Sequence, residues 1–106
     1  MVTLKDFEKL DLRIGEVLSV EEVPNSDKLY VLQVDIGGKQ IQLVAGLRKY
    51  YKASELKGKK IVVLANLEPA VIRGVTSEGM LLAAVDENSV VVLTPDRDIP
   101  VGSKVA

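Results

Sequence analysis

Asn66-Leu67-Glu68-Pro69-Ala70-Val71-Ile72-Arg73-Gly74-Val75-Thr76-Ser77-Glu78-Gly79-Met80 joins two unbroken apolar runs, Ile61-Val62-Val63-Leu64-Ala65 and Met80-Leu81-Leu82-Ala83-Ala84. Short apolar runs bounded by turn residues read as buried strands. The stretch between them shows neither a helical nor a strand period, so it is expected to be a loop of about a dozen residues, a length that ordered domains keep mainly for function. It gathers one guanidinium (Arg73), one amide (Asn66), two hydroxyls (Thr76 and Ser77) and one carboxylate (Glu78), framed by glycines at 74 and 79. No other part of the chain concentrates polar chemistry in this way.

Upstream, three strands are expected. Residues 11–23 read as a long first strand with Leu12, Ile14, Leu18 and Val20 on one face, and Gly15 inside it predicts a bulge or sharp bend. Pro24-Asn25-Ser26-Asp27-Lys28 is a turn cluster. In residues 29–36, Tyr30, Leu32, Val34 and Ile36 face one way, with Gln33 and Asp35 opposite. Gly37-Gly38 predicts a two-residue hairpin turn, after which residues 39–45 return with Ile41 and Leu43 inward and Gln40 and Gln42 outward. Residues 47–57 give one or two helical turns closed by Gly58.

The apolar runs then supply a fourth strand (60–65) and a fifth (80–85). Asp86-Glu87-Asn88 turns into a return strand at Val90-Val91-Val92-Leu93. The N-terminus, Thr3-Leu4-Lys5-Asp6-Phe7-Glu8, reads as a short helix with Thr3 as N-cap and Asp6 three residues on; Leu4, Phe7 and Leu10 share a face expected to pack under the domain. The tail from Thr94 is irregular, but its spaced apolar residues (Ile99, Val101, Val105) predict that it lies against something.

Three strands, a short helix, two strands and a hairpin extension is the order of an OB-fold, a five-stranded Greek-key barrel of the all-β class. Such barrels meet ligands on the second and third strands and on the loops between strands 1–2 and 4–5. Here those loops are residues 23–28 and 66–79. Topology and residue chemistry therefore point independently to the same places.

The inventory narrows the function. At 106 residues the chain is expected to be one domain, and its 47% apolar content excludes disorder. With no cysteine and no histidine, thiolate nucleophiles, Cys-based metal sites, the commonest metal ligand and the commonest neutral-pH base are all missing. This argues against catalysis and against a cofactor or metal. No apolar run reaches membrane-span length, and the charged start MVTLKDFEKL lacks the apolar core of a secretory leader; a cytoplasmic location is expected. Net charge is −1, so if the chain binds nucleic acid its cations must be gathered on one surface. One Phe and three Tyr also fall short of a row of stacking aromatics.

Asp11-Leu12-Arg13-Ile14-Gly15, Pro24-Asn25-Ser26-Asp27-Lys28-Leu29-Tyr30, Ala65-Asn66-Leu67, Arg73-Gly74-Val75, Ser77-Glu78-Gly79-Met80-Leu81-Leu82 and Thr94-Pro95-Asp96 together resemble the tRNA-binding domain of methionyl-tRNA synthetase. The same set is similar to free-standing structure-specific tRNA-binding proteins and to the endothelial monocyte-activating polypeptide family. The resemblance implies an OB-fold that binds tRNA by shape, a homodimer, and a catalytic methionyl-tRNA synthetase chain as partner. It places the ligand-facing positions at Lys28, Asn66, Arg73, Ser77 and Met80. Val23, Ala45, Glu68 and Val71 depart from the family pattern, and at 68 and 71 many members carry lysines, so weaker phosphate attraction is expected. Export chaperones share the fold and the Asp-Phe-Glu-Lys-Leu-Asp pattern at the N-terminus, and a dimeric peptide-binding module is the alternative reading.

Each site residue also has a plain structural reading. Lys28 is a solvated turn lysine, or a ligand. Arg73 pairs with Glu78 or Asp27, or grips a phosphate with its planar fork. Asn66 holds the loop by side-chain-to-backbone bonds or reaches a ligand. Ser77 is a turn former or a contact, and Met80 is core or contact. Arg48-Lys49-Tyr50-Tyr51-Lys52 is a short amphipathic helix with one buried Tyr, or an RNA contact. With Lys28, Arg73, Lys39, Lys49 and Lys52 near the loops, a salt-dependence slope of a few units is expected. A dimer would add to affinity by presenting two such surfaces, and the tail and N-terminal helix are the segments expected to form its interface.

Overall fold

The computed structural model describes residues 1–106. Period-2 alternation makes the central sheet. Strands β1 (Leu12–Glu22), β2 (Tyr30–Asp35) and β3 (Gln40–Ala45) form an antiparallel meander. β4 (Lys60–Leu64) joins the other edge of β1, and the two-residue β7 (Met80–Leu81) joins β4, giving the order β3-β2-β1-β4-β7. The sheet curls until the segment just before β7 meets β3, so the barrel is nearly closed. This is the OB-fold order expected from the sequence. Tyr30, Leu32, Val34, Ile36, Ile41, Leu43, Ile61 and Val63 fill the interior, with Leu47 and Leu56 beside them. Helix α2 (Ala53–Leu56) delivers Leu56 to that core and is closed by Lys57 and Gly58.

The expected turns are present. Gly37 and Gly38 both have positive φ, the geometry of the hairpin turn that suits strand twist, and Ile36 N donates to Lys39 O. Thr3 caps α1 (Leu4–Glu8) with a full capping box to Asp6. The irregular tail does lie against something. Ile14 N donates to Ser103 O, Gly102 N to Ile14 O and Val105 N to Leu12 O, so the tail pairs with the start of β1, on the edge that β2 leaves open before Glu16.

Five expectations fail. Residues 66–80 are not structureless, because they contain a hairpin of β5 (Ala70–Ile72) and β6 (Val75–Ser77). The fifth strand is broken at Leu82 into β7 and β8 (Ala83–Val85), and β8 pairs instead with β9 (Val90–Val92). Gly15 is not a bulge; the register shift in β1 lies between Val17 and Ser19. A Cβ on Gly15 would meet Val34 Cγ1 at 2.7 Å, so the glycine is there to let β1 approach its neighbours. The shift changes which side chains face in. Val17 enters the core and Leu18 turns out to solvent, while Leu12 and Ile14 are buried apart from the main cluster. Finally, α1 buries nothing: Leu4 is 74% exposed and Phe7 37%.

Candidate functional site

The stretch from Asn66 to Met80 has two jobs, and its two ends do different ones. Its C-terminal end seals the barrel against β3. Glu78 N donates to Gln42 O (2.7 Å), the Glu78 carboxylate accepts from Gln42 N (2.8 Å), and the buried Ser77 hydroxyl accepts from Val44 N (3.0 Å) and donates to Gly79 O (2.9 Å). Gly79 then passes so close to β4 that a Cβ there would lie 2.6 Å from Leu64 O. At its N-terminal end, the Asn66 amide accepts from Asp11 N (2.9 Å) and donates to Lys9 O (2.7 Å), fastening the loop to the start of β1.

Between these anchors the β5–β6 hairpin is held by an amide chain on the outer face of β2 and β3. Gln40 donates to Gln33 (3.2 Å), Gln33 to Gln42 (2.8 Å), and Gln42 to the Thr76 carbonyl (2.8 Å). Strand alternation places these glutamines outward, as expected, and the structure adds their role in holding the hairpin. The signal was available, because a two-residue turn at Gly37-Gly38 sets the register and places Gln33 opposite Gln42.

At the hairpin tip, Arg73 (φ 53°) and Gly74 (φ 79°) make a two-residue turn in which both residues are left-handed. That conformation favours Gly, Asn or Asp, and an arginine held in it costs on the order of 1 kcal/mol. Strained positions of this kind gather at ligand sites. Arg73 is exposed and takes no carboxylate partner; the ion pairs of the chain involve Lys9, Arg13, Arg48, Lys49, Lys60 and Arg97. The expected alternative pairing with Glu78 or Asp27 is therefore absent, since Glu78 is turned to Gln42. Leu67, Val71, Ile72 and Met80 surround this segment with exposed apolar surface, and Met80 is not core.

The other wall is the loop before β2. Ser26 N donates to Val23 O (3.2 Å), and Asn25 takes positive φ after Pro24, the type II turn geometry. Lys28 is exposed with no acidic partner. Arg48 braces the loop from behind: its guanidinium bonds the Ser26 carbonyl and pairs with Glu22 (2.7 Å), and its N–H donates to Lys28 O (3.2 Å). Arg48 is thus a support and not a free cation. Lys49 sits 3.9 Å from Asp27. Lys39 lies at the opposite end of β2 from Lys28, close enough to Asp11 to help lower its pKa. Of the five expected residues, Arg73, Lys28 and Met80 are free side chains, whereas Asn66 and Ser77 have their polar groups engaged inside the fold.

Residues 12–104 match the family described as "Putative tRNA binding domain". The chain belongs to this tRNA-binding-domain family. It is 53% identical over 98% of its length to the methionine–tRNA ligase of Pyrococcus furiosus, and 52% identical over 99% to that of Nanoarchaeum equitans. It spans 14% of the length of each of these relatives. A MetRS-related protein from Pyrococcus horikoshii has the same fold, with a TM-score of 0.94 at 32% identity and coverage of 100% of this chain and 98% of that one. So has the chaperone CsaA of Bacillus anthracis, with a TM-score of 0.91 at 36% identity and coverage of 100% and 99%. Within the tRNA-binding domain, no helix is long and apolar enough to cross a membrane.

One ion pair supports the loop anchor. Arg13 Nε and Nη2 each donate to the Asp11 carboxylate (2.9 Å), and this hydrogen bond holds the Asp11 carboxyl below its ordinary value of 3.8. A lowered carboxyl stabilises the fold above its unfolded pKa and loses that contribution as pH falls through the folded value. Both side chains are about one-third exposed (37% and 33%), which limits the effect to below about 1 kcal/mol. Urea titrations should therefore find Asp11→Asn slightly less stable than the parent at pH 7, with the difference shrinking as the pH falls through the lowered folded-state value of the carboxyl. A difference that persists in acid would place the Asp11 contribution outside its charge.

Proposed function

We propose that this domain is a non-catalytic tRNA-binding unit that supports a methionyl-tRNA synthetase, gripping the folded shape of tRNA between the Arg73 hairpin and the Lys28 loop. The observation that carries the reading is Arg73: an exposed, unpaired guanidinium at the tip of a strained turn, on a hairpin clamped to the outer face of β3. A planar fork presented rigidly suits two-point contact with phosphate. The family membership and the archaeal ligase relatives support the same reading. Residues 1–106 would act as one unit in the cytoplasm with no cofactor, and aminoacylation would reside in a separate catalytic region or chain.

Free cations at the two walls are few: Lys28 and Arg73, with Lys49 partly engaged. Each phosphate contact contributes about one unit to the salt slope, so one protomer would bind modestly. A homodimer would raise affinity by bringing two surfaces to one tRNA. The exposed stripe of Leu4 and Phe7 on α1 with Leu10 just beyond it, which lines a cavity of about 190 Å³ with Val105 of the tail, is where we place that interface.

A second reading, binding of extended peptides, is favoured by the CsaA likeness and by exposed Val71, Ile72 and Met80 beside the hairpin. A gel-shift competition separates the two. Folded tRNA should displace labelled tRNA at far lower concentration than a linear RNA of equal length, and an apolar peptide should not displace it. Equal competition by linear RNA would sink shape recognition, and displacement by the peptide would favour the second reading.

A further inference from the structure

We infer that the cavity between the Lys28 loop and Tyr50 takes an unpaired nucleobase of the bound tRNA, stacked on the Tyr50 ring, with its phosphate between Lys28 and Lys49. The inference rests on the tRNA-binding reading and names a contact that reading does not contain.

The three tyrosines are used differently. Tyr30 donates its hydroxyl to Tyr51 O (2.7 Å), and Tyr51 accepts from Val92 N (3.1 Å), so both are tied into the barrel. Tyr50 stands in solvent with 46% of its surface exposed. An exposed ring is a stacking surface that any base can use, because every base has a π-face. The main chain that carries this ring is fixed, since Tyr50 N and Tyr51 N both donate to Leu47 O (2.9 Å), and Leu47 is anchored in the core.

The ring forms part of a cavity of about 430 Å³ whose other lining residues are Lys28, Leu29, Gly46, Lys49 and Val90. This lining joins an aromatic face and two aliphatic side chains to two ammonium groups, and it contains no carboxylate. An apolar slot with cations at its rim matches a nucleotide, whose base is flat and whose phosphate is anionic. The neighbouring cavity, which shares Tyr50 and Lys49, contains Glu22 and Glu55 and would repel a phosphate. Asp27 lies 3.9 Å from the Lys49 ammonium, an ion pair too long for a hydrogen bond, so Lys49 is partly engaged and keeps donors free for a phosphate.

Position ties this cavity to the site already described. Gly46 directly follows β3, two residues beyond Val44, whose N–H is held by Ser77. A base seated here would therefore lie beside the barrel seal that anchors the Arg73 hairpin. Gly46 keeps the slot open. A Cβ built on it meets no atom within 4 Å, and its φ is outside the left-handed region, so a larger residue there would fill the cavity without disturbing the fold.

The experiment is fluorescence anisotropy of a labelled full-length tRNA transcript with the parent, Tyr50→Ala, Tyr50→Phe, Gly46→Val and Lys28→Ala across a salt series, with melting temperatures as the folding control. Tyr50→Ala should weaken binding roughly tenfold with an unchanged salt slope, because stacking releases no counterions. Tyr50→Phe should bind like the parent, Gly46→Val should match Tyr50→Ala, and Lys28→Ala should lower the slope by about one unit. If the parent binds tRNA while Tyr50→Ala and Gly46→Val, both folded, bind equally well, the nucleobase slot is wrong. A parent that binds no tRNA overturns the tRNA-binding reading itself. Should Tyr50→Ala fail to fold, Gly46→Val alone decides.

Discussion

Gly79→Ala is expected to lower stability by about 3 kcal/mol, the largest loss from a single methyl group anywhere in the segment. The added Cβ would lie 2.6 Å from Leu64 O, with Ile41 Cδ1 and Leu43 Cδ2 at 3.3 and 3.4 Å. The first neighbour is backbone, held in β4 by its pairing with β1 and β7, and it cannot move aside without opening the barrel. For a domain of this size the loss corresponds to a fall in melting temperature of roughly 12–18 °C. Calorimetry of the parent and variant measures it directly. The same change at Gly74 should cost far less, because a Cβ there meets nothing within 4 Å and only the left-handed φ opposes it. If Gly79→Ala melts within a few degrees of the parent, the close approach at the barrel seam is not a constraint on the fold.

Ser77→Ala should cost about 2 kcal/mol, through hydrogen bonding and not through packing. The Ser77 side chain is 5% exposed and its hydroxyl serves Val44 N and Gly79 O together. Alanine would leave one donor and one acceptor at the seam without partners, and stranded groups of that kind cost about 1–3 kcal/mol each when they stay dry. Thr76→Ala is the comparison: Thr76 is exposed and contributes its carbonyl, not its hydroxyl, to the contact with Gln42, so its loss should leave stability nearly unchanged. Urea unfolding of the pair settles the matter. A Ser77→Ala variant with parental stability but weakened tRNA binding would mean that the hydroxyl touches the ligand and does not seal the barrel.

The meander of β1 to β3 was legible because two signals agreed. Alternation in Tyr30–Ile36 and Ile41–Leu43 marked the inner face, and the Gly37-Gly38 turn set the register. The β5–β6 hairpin was not legible, because Ala70, Val71 and Ile72 are all exposed and so carry no inside–outside alternation. Its turn, Arg73-Gly74, also lacks the Asn-Gly or Gly-Gly signature of such turns. The bulge at Leu18 left no mark in residue type, and the conspicuous Gly15 drew the expectation three residues early. The apolar face of α1 is visible in the sequence, but the expectation that it packs under the domain fails, because Leu4 and Phe7 stay exposed.

Site chemistry divided along the same line. Which residue types cluster in 66–80 is visible in the sequence. Which of them have spare donors is a matter of partners distant in the chain. Asn66 is occupied by Lys9 and Asp11, and Ser77 by Val44, while Arg73 is left free. Arg48 looked like a candidate RNA contact, yet Glu22 and the Ser26 carbonyl claim its guanidinium. Family-level positions thus separate into residues that build the loop and residues that the loop presents.

Arg73→Gln tests the account most directly, because it keeps the backbone conformation and most of the side-chain length while removing the charge. Binding of folded tRNA by the parent and variant should be followed from low to moderate salt, with melting temperatures alongside. The variant should melt at the parent's temperature, bind more weakly at every salt concentration and show a salt slope lower by about one unit. Equal affinity and equal slope in a fully folded variant would contradict the proposed role of Arg73.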